Sequence, residues 1–251
     1  MLLSRTLGGF AGEWLGWRAP YFAAAALTLV SALVLARVLP HTEPGTRDRY
    51  PVLLAAPLRL LRTEPELRRS CLYQAAVFGG FSAAWTGVAL LLTGPGYGLT
   101  TRAVGLLALV NAATMFCTPL AGRVADRRGP DPVNRVSMLA VVVSALVLAA
   151  GGTGGTAGVA ALVAGFLILD VAMQSGMVAN QVRNYALRDS ERSRVNTAYM
   201  TCAYLGGSVG SWLGAHSYAR FGWSGVCALV GLLAVLALGK SVRVRRATPA
   251  R

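Results

Sequence analysis

Long apolar stretches separated by short polar segments dominate the hydrophobic pattern of this chain. Each stretch approaches the roughly 20 residues that an α-helix needs to cross the hydrocarbon core of a bilayer. None shows the alternation of period two that the strands of a membrane barrel would require. The pattern therefore predicts an all-α integral membrane protein with about seven membrane-spanning helices, at residues 19–38, 70–92, 102–124, 134–150, 157–181, 195–218 and 223–239.

The polar segments predict a connector, a tail and an incomplete first helix. Residues 40–69 combine Pro, Arg and Glu as a solvated linker does, with a short surface helix expected at 55–62. Residues 240–251 form a basic tail. Residues 1–17 are too short to cross the bilayer comfortably and lack the apolar core of a signal peptide, so they are typical of the last half of a helix.

The positive charge is placed on alternate connections between the predicted spans. Charged residues make up only 14% of the chain, and the net charge is +14. Residues 37–69, 123–135, 183–194 and 240–251 hold seven, four, four and five of the 24 Lys and Arg residues. Such residues are retained on the cytoplasmic side, so we expect a start outside and a C-terminus inside. This placement accounts for the net charge without nucleic acid as a partner.

No pattern of side chains predicts catalysis or metal binding. The four cysteines fall inside predicted spans without a common short spacing, and the two histidines lie near span ends. The spans contain no cluster of a nucleophile with a base, and the chain has no G-x-x-x-x-G-K-[ST] motif. We therefore expect neither an enzyme nor an ATP-driven transporter, and no metal or cofactor.

A ten-residue segment occurs twice, at 7–16 and 205–214, with seven identical positions. At about 33 residues for a helix and its loop, the 198 residues between the copies correspond to six helices. Two six-helix halves related by an axis along the membrane normal would produce this repeat. Each copy places three glycines on one helical face, where backbones can pack closely: Gly8, Gly12 and Gly16, and Gly206, Gly210 and Gly214.

These features resemble the major facilitator superfamily. The segment Gly122-Arg-Val-Ala-Asp-Arg-Arg-Gly129 is similar to the family's cytoplasmic signature G-x-x-x-D-R-x-G between helices 8 and 9. Tyr97-Gly-Leu-Thr and Val104-Gly-Leu are similar to the start of helix 8, and Gly16-Trp-Arg18 to the link from helix 5 to helix 6. The resemblance implies that the chain lacks about the first four and a half helices.

The resemblance also divides the chain into four parts. Residues 1–39 would hold the end of helix 5 and helix 6 of an incomplete N-terminal half. Residues 40–69 would be the cytoplasmic linker and 70–239 the six-helix C-terminal half, with 240–251 as the tail. In the family, helices 5 and 11 lie at the interface of the two halves, so the glycine face of helix 11 would lack its usual partner, helix 2.

The resemblance assigns a conformational latch to the signature loop. Asp126 would accept backbone N–H groups at the positive end of a helix, with basic neighbours beside it. The family pattern expects a further basic residue after the last glycine, where this chain has Pro130 and Asp131. The expected latch residues are Gly122, Arg123, Asp126, Arg127 and Gly129.

Asp170 is the only acidic residue deep within a predicted span. Holding a charged Asp at the bilayer centre costs about 2.5–3.5 kcal/mol on insertion scales, so such a residue usually faces a cavity or a partner. Gln174, Met177 and Gln181 follow on the same helical face, and the resemblance places this helix beside the central cavity. We expect this face to bind substrate or protons, with hydrogen-bonded packing of Asp170 as the alternative.

A second stripe of polar and aromatic residues lies in the first span after the linker. Such a stripe can line an amphipathic cavity, although it is also compatible with packing or lipid contact. Asn111, in the next span, is an isolated polar group with the same two interpretations. The stripe consists of Gln74, Phe78, Phe81 and Trp85.

The expected function is transport of a small molecule by alternating access, as part of a truncated multi-pass transporter of the cell inner membrane. Proton-coupled efflux by antiport is the form implied by a general similarity to drug and sugar efflux permeases. A non-transporting fragment, or a half-transporter that needs a separate N-terminal half, is the alternative. A seven-helix receptor is more remote, because the repeated glycine segment has no role there. A retinal-type receptor would also need a lysine within the membrane, and the only lysine, Lys240, lies at a span boundary. The expected partners are the lipid bilayer, the substrate and protons.

Overall fold

The computed structural model describes residues 18–39, 50–111, 114, 117–187 and 191–247, and these ranges contain helices and short loops without a strand. Five of the described helical segments are long and apolar enough to cross a membrane, by length and composition: Ala19–Val38, Pro65–Thr93, Pro130–Thr153, Gly155–Tyr185 and Arg192–Lys240. The predicted all-α membrane bundle is confirmed. In chain order the helices are α1 (Ala19–Val38), α2 (Tyr50–Thr63), α3 (Pro65–Thr93), α4 (Thr101–Asn111), α5 (Thr118–Arg128), α6 (Pro130–Ala150), α7 (Gly155–Tyr185) and α8 (Arg192–Ala247).

Helix α8 consists of two helical arms that meet at Gly222. This residue has φ 63° and ψ −155°, a non-helical conformation with a positive φ that favours glycine. The break falls between the predicted spans 195–218 and 223–239, so the arms 192–221 and 223–247 correspond to two crossings. The second arm continues through residues that the sequence assigns to the tail.

Two described helices cover the predicted single span at 102–124. Helix α4 ends at Asn111, Thr114 and Cys117 have 3₁₀ conformation, and α5 starts at Thr118. Proline is tolerated in the first turn of a helix and disrupts its interior, and Pro119 occupies the first turn of α5. Pro119 therefore lies at a position where a helix tolerates it.

The linker helix α2 is longer than the predicted 55–62 and packs against the end of the bundle. Its Leu60 is 2% exposed and lies in an apolar cluster with Leu67 of α3 and with Val195 and Tyr199 of α8. Helix α3 begins at Pro65, five residues before the expected boundary, with proline in its first turn. Only Glu64 separates α2 from α3 in the described part of the linker.

Helix α3 lies at the centre of the bundle. It contacts α7 and both arms of α8, and its Val88, Ala83 and Ala84 are fully buried. Gly80 lies against Val230 and Gly87 against Val226, so α3 and the second arm of α8 are antiparallel. In contrast, α1 has no buried residue in the described part of the chain.

Candidate functional site

Asp170 lies in the interior of the bundle on helix α7. The residue is 1% exposed. One turn earlier, the Phe166 ring packs 4.7 Å from the Trp85 ring of α3, measured between centroids, and Met173 continues the same core one turn later. Asp170 is therefore buried on a helix whose neighbouring turns pack into the apolar core.

The predicted stripe on α7 lies at the edge of the helix face that packs against the rest of the bundle. Gln174, Met177 and Gln181 are half-buried, whereas Asp170 is buried. The face that packs most closely is displaced by one residue from the stripe and includes Leu169, Met173, Gly176, Asn180 and Arg183.

The predicted aromatic stripe of α3 forms one continuous set of ring contacts. Phe78 stacks on Phe81 at 5.9 Å between centroids, and Phe81 lies 6.2 Å from Trp85. Tyr204 of the first arm of α8 contacts Phe78 edge-on, also at 5.9 Å. With the contact of Trp85 to Phe166, the rings connect α8, α3 and α7 beside Asp170. Phe81 and Trp85 are buried, and Phe78 is half-buried.

A buried chain of polar side chains crosses four helices, and the sequence pattern did not predict it. The Tyr199 hydroxyl of α8 donates to Gln74 Oε1 of α3 at 2.9 Å. It also interacts with Asn180 of α7, whose Oδ1 accepts from Asn134 Nδ2 of α6 at 3.0 Å. The signal available in the sequence was the occurrence of uncharged polar residues within apolar helices, where hydrogen bonds between helices are expected.

Four charged residues form an ion network at the same end of the bundle. Asp131, in the first turn of α6, pairs with Arg69 Nη2 of α3 at 2.9 Å and with the Arg183 guanidinium of α7. Glu66 Oε2 lies 3.3 Å from Arg183 Nε and 3.8 Å from Arg69 Nη1. The Arg183 side chain is 6% exposed, so the two carboxylates compensate a nearly buried cation. Asp131 stands where the family pattern expects a basic residue, and this departure supplies the network with its central acid.

The signature segment, expected as a loop, forms the second half of α5 and is only partly packed. Ala125 is buried beside Val133 and Ala179, whereas Asp126 is exposed. Gly129 has φ +80° and joins α5 directly to α6, which accounts for the glycine at this position. Among the other expected latch residues, Arg123 and Arg127 are exposed and Gly122 is half-buried.

The second glycine segment packs on α3. A side chain at Gly206 would meet Ala75, one at Gly210 would overlap Gly79, and one at Gly214 would meet Ala83. Thr86 and Ser211 share a hydrogen bond of 2.7 Å across the same two helices. The glycine face therefore has a partner within its own half. Gly8, Gly12 and Gly16 lie outside the described residues.

At the opposite end of the bundle, two aromatic side chains donate hydrogen bonds to backbone carbonyl groups near the end of α6. Tyr97 donates from its hydroxyl to Gly151 O at 2.6 Å, and Trp223 Nε1 donates to Leu148 O at 2.5 Å. Burial raises the pKa of the Tyr97 phenol. Asn111 is the last residue of α4, and its side chain lies outside the described part of the structure.

Comparison with known proteins gives one family and several relatives. Residues 1–188 match the sequence model of the Major Facilitator Superfamily. The chain is 38% identical over 237 residues to the probable transporter SCO4007 of Streptomyces coelicolor, covering 94% of this chain and 54% of that protein. It is 32% identical over 239 residues to the uncharacterized transporter YgaY of Escherichia coli K12, covering 93% of this chain and 60% of that protein. The chain thus spans a little more than half the length of these relatives.

Proposed function

Because the chain belongs to the Major Facilitator Superfamily, we propose that it acts in transport of a small molecule across the membrane by alternating access. Relatives named as transporters support this function. The described bundle would be one of two bodies that rock against each other around a central site. On the charge distribution, α8 ends on the cytoplasmic side, together with the ion network at Asp131.

The buried carboxyl group of Asp170 is the observation that carries the mechanism. It is 1% exposed on a membrane-spanning helix, beside the rings of Phe166 and Trp85. An ionisable group in such a place is typically part of a proton or substrate path. We assign Asp170 the exchange of protons, so that uptake of a proton from one side accompanies release of substrate to that side. This gives proton-coupled efflux by antiport.

A second bundle is part of the proposal. In the described ranges α1 has no buried side chain, and its Tyr21, Phe22 and Leu27 are 72%, 72% and 68% exposed. The relatives extend well beyond the part that this chain matches. A further helical bundle, in the same polypeptide or in a separate chain, would supply the other wall of the cavity.

Everted membrane vesicles provide the test. The protein would be produced alone and together with the unmatched part of the Streptomyces relative, with ethidium and a set of other drugs and sugars as probes. We expect at least one probe to release protons from energised vesicles that contain the wild type. The variant Asp170→Asn should abolish this release, because an amide cannot carry the proton.

The matched control is Asp131→Asn, which removes a half-exposed carboxylate at the end of the bundle. It should retain proton movement linked to the probe. Unchanged coupling in Asp170→Asn would overturn the role of this residue. Absence of transport with every probe and in both preparations would favour a non-transporting fragment.

A further inference from the structure

Two apolar clefts on the outer surface of the bundle form one continuous groove. One cleft has a volume of about 550 Å³ and lies between α3 and the second arm of α8. The other, of about 570 Å³, lies between α3 and the first arm. Leu72, Ala76 and Leu233 line both clefts, so the two volumes adjoin. The groove opens to the outside of the described bundle.

Small residues create this groove. Ala75, Gly79, Gly206 and Gly210 line the second cleft, and the backbones of α3 and α8 approach closely at these positions. Larger side chains stand on both sides of this floor. From Arg68 to Gly79 the groove follows α3 for about 17 Å at 1.5 Å per residue. This length is close to the depth of one leaflet of a hydrocarbon core that is about 30 Å thick.

Basic side chains lie at one end of the groove. Arg68 lines one cleft and Lys240 lines the other, and both are exposed. Because α3 and the second arm of α8 are antiparallel, with Tyr73 packed in one cluster with Ala237, these two residues lie at the same end. Arg68 Nη1 donates to Arg62 O at 3.0 Å, which ties this guanidinium to the end of α2.

We propose that the groove binds one anionic phospholipid, with an acyl chain along α3 and the phosphate between Arg68 and Lys240. An apolar channel one leaflet deep with two cations at its end matches the two chemical parts of such a lipid. Guanidinium and ammonium groups both bind phosphate oxygens through charge-assisted hydrogen bonds. Basic sites between helices at the cytoplasmic surface recognise anionic headgroups by this chemistry.

Native mass spectrometry of the purified chain tests the site. The protein would be mixed with phosphatidylglycerol or with phosphatidylcholine of identical acyl chains, and the retained lipid counted. We expect one phosphatidylglycerol to be retained in preference to phosphatidylcholine. Each of Arg68→Gln and Lys240→Gln should lower this preference about fivefold, and the double variant should abolish it.

Two further variants separate this site from general attraction to the membrane surface. Arg37→Gln removes an exposed arginine at the end of α1 that lines neither cleft, and should leave the preference unchanged. Ala76→Phe keeps both cations but fills a position that lines both clefts, so it should weaken retention of the lipid. It should not make the protein bind glycerol phosphate, which has the phosphate group without acyl chains. Equal retention of the two lipids by the wild type would overturn the proposal. So would a preference that survives the double variant or falls equally in Arg37→Gln. The measurement does not require transport, so its outcome is independent of the proposed function.

Discussion

The Tyr199 hydroxyl donates a hydrogen bond to Gln74 Oε1 at 2.9 Å, and both side chains are buried. This bond connects the first arm of α8 to α3, the two helices that also meet through Gly79 and Gly210. Glycine contacts allow close approach but offer few side-chain features that fix one helix along the other. The hydrogen bond supplies a specific contact at a defined height, so together with the Thr86–Ser211 bond it fixes the register of the two helices.

Tyr199→Phe should therefore destabilise the bundle. The substitution leaves Gln74 Oε1 without its donor in the protein interior, and we expect a loss of about 1 kcal/mol in the free energy of unfolding. Unfolding of the purified protein in mixed detergent micelles measures this loss.

A double-mutant cycle distinguishes the hydrogen bond from lost packing. Gln74→Leu removes the acceptor, so Tyr199→Phe should cost less in that background than in the wild type. If the two substitutions lower the unfolding free energy additively, this hydrogen bond contributes nothing to stability.

Two glycines of α8 should respond in opposite directions to alanine. A Cβ atom at Gly210 would overlap the backbone of Gly79, so Gly210→Ala should lower the free energy of unfolding by about 1–3 kcal/mol. A Cβ atom at Gly239 would meet nothing within 4 Å among the described residues, and Gly239→Ala should stabilise by up to about 1 kcal/mol through helix propensity. Thermal unfolding in detergent compares the pair. Equal effects of the two substitutions would contradict the close packing at Gly210.

The sequence predicted the positions of most helices because length and apolar content determine where a chain can cross a bilayer. It did not reveal which face of each helix is buried. On α7 the stripe from Asp170 to Gln181 stands out by polarity, yet Gly176 and Asn180 form the packed face. A membrane helix is apolar on all sides, so hydrophobic periodicity carries little information about its partner.

Long-range polar contacts were hidden for a different reason. Asp131 and Arg183 pair across 52 positions of the chain, and each occurs in a loop or span end where charge is ordinary. Only the packing of α6 against α7 brings them together. The local motif could therefore show that Asp131 departs from the family pattern, but not that it compensates Arg183.

Asp131→Asn should reduce stability more than the loss of an ordinary surface charge. The substitution weakens the compensation of Arg183, whose side chain is 6% exposed. Since Asp131 is itself 46% exposed, solvent screening limits the expected loss in unfolding free energy to about 2 kcal/mol. Chemical unfolding at constant ionic strength measures the effect.

Glu66→Gln and Asp126→Asn are the comparisons for this network. Glu66 makes longer contacts with the arginines, so its substitution should cost less than that of Asp131. Asp126 is exposed on the neighbouring helix α5, and Asp126→Asn should change the unfolding free energy by less than about 0.5 kcal/mol. If all three variants lower the unfolding free energy equally, the ion network contributes no more to stability than an ordinary surface charge does.

Asp170→Asn separates a proton-exchanging carboxyl group from a packing residue. The amide keeps the shape of the side chain, so for a proton-exchanging group we expect less than about 1 kcal/mol of change in unfolding free energy. Infrared difference spectra between acidic and alkaline buffer should show a carboxyl band from a buried acid in the wild type and in Asp131→Asn. The same band should be missing in Asp170→Asn. A packing role predicts the reverse combination, with a pronounced loss of stability and no titrating band assigned to Asp170. The two measurements together decide whether the buried position of Asp170 reflects proton exchange or structural hydrogen bonding.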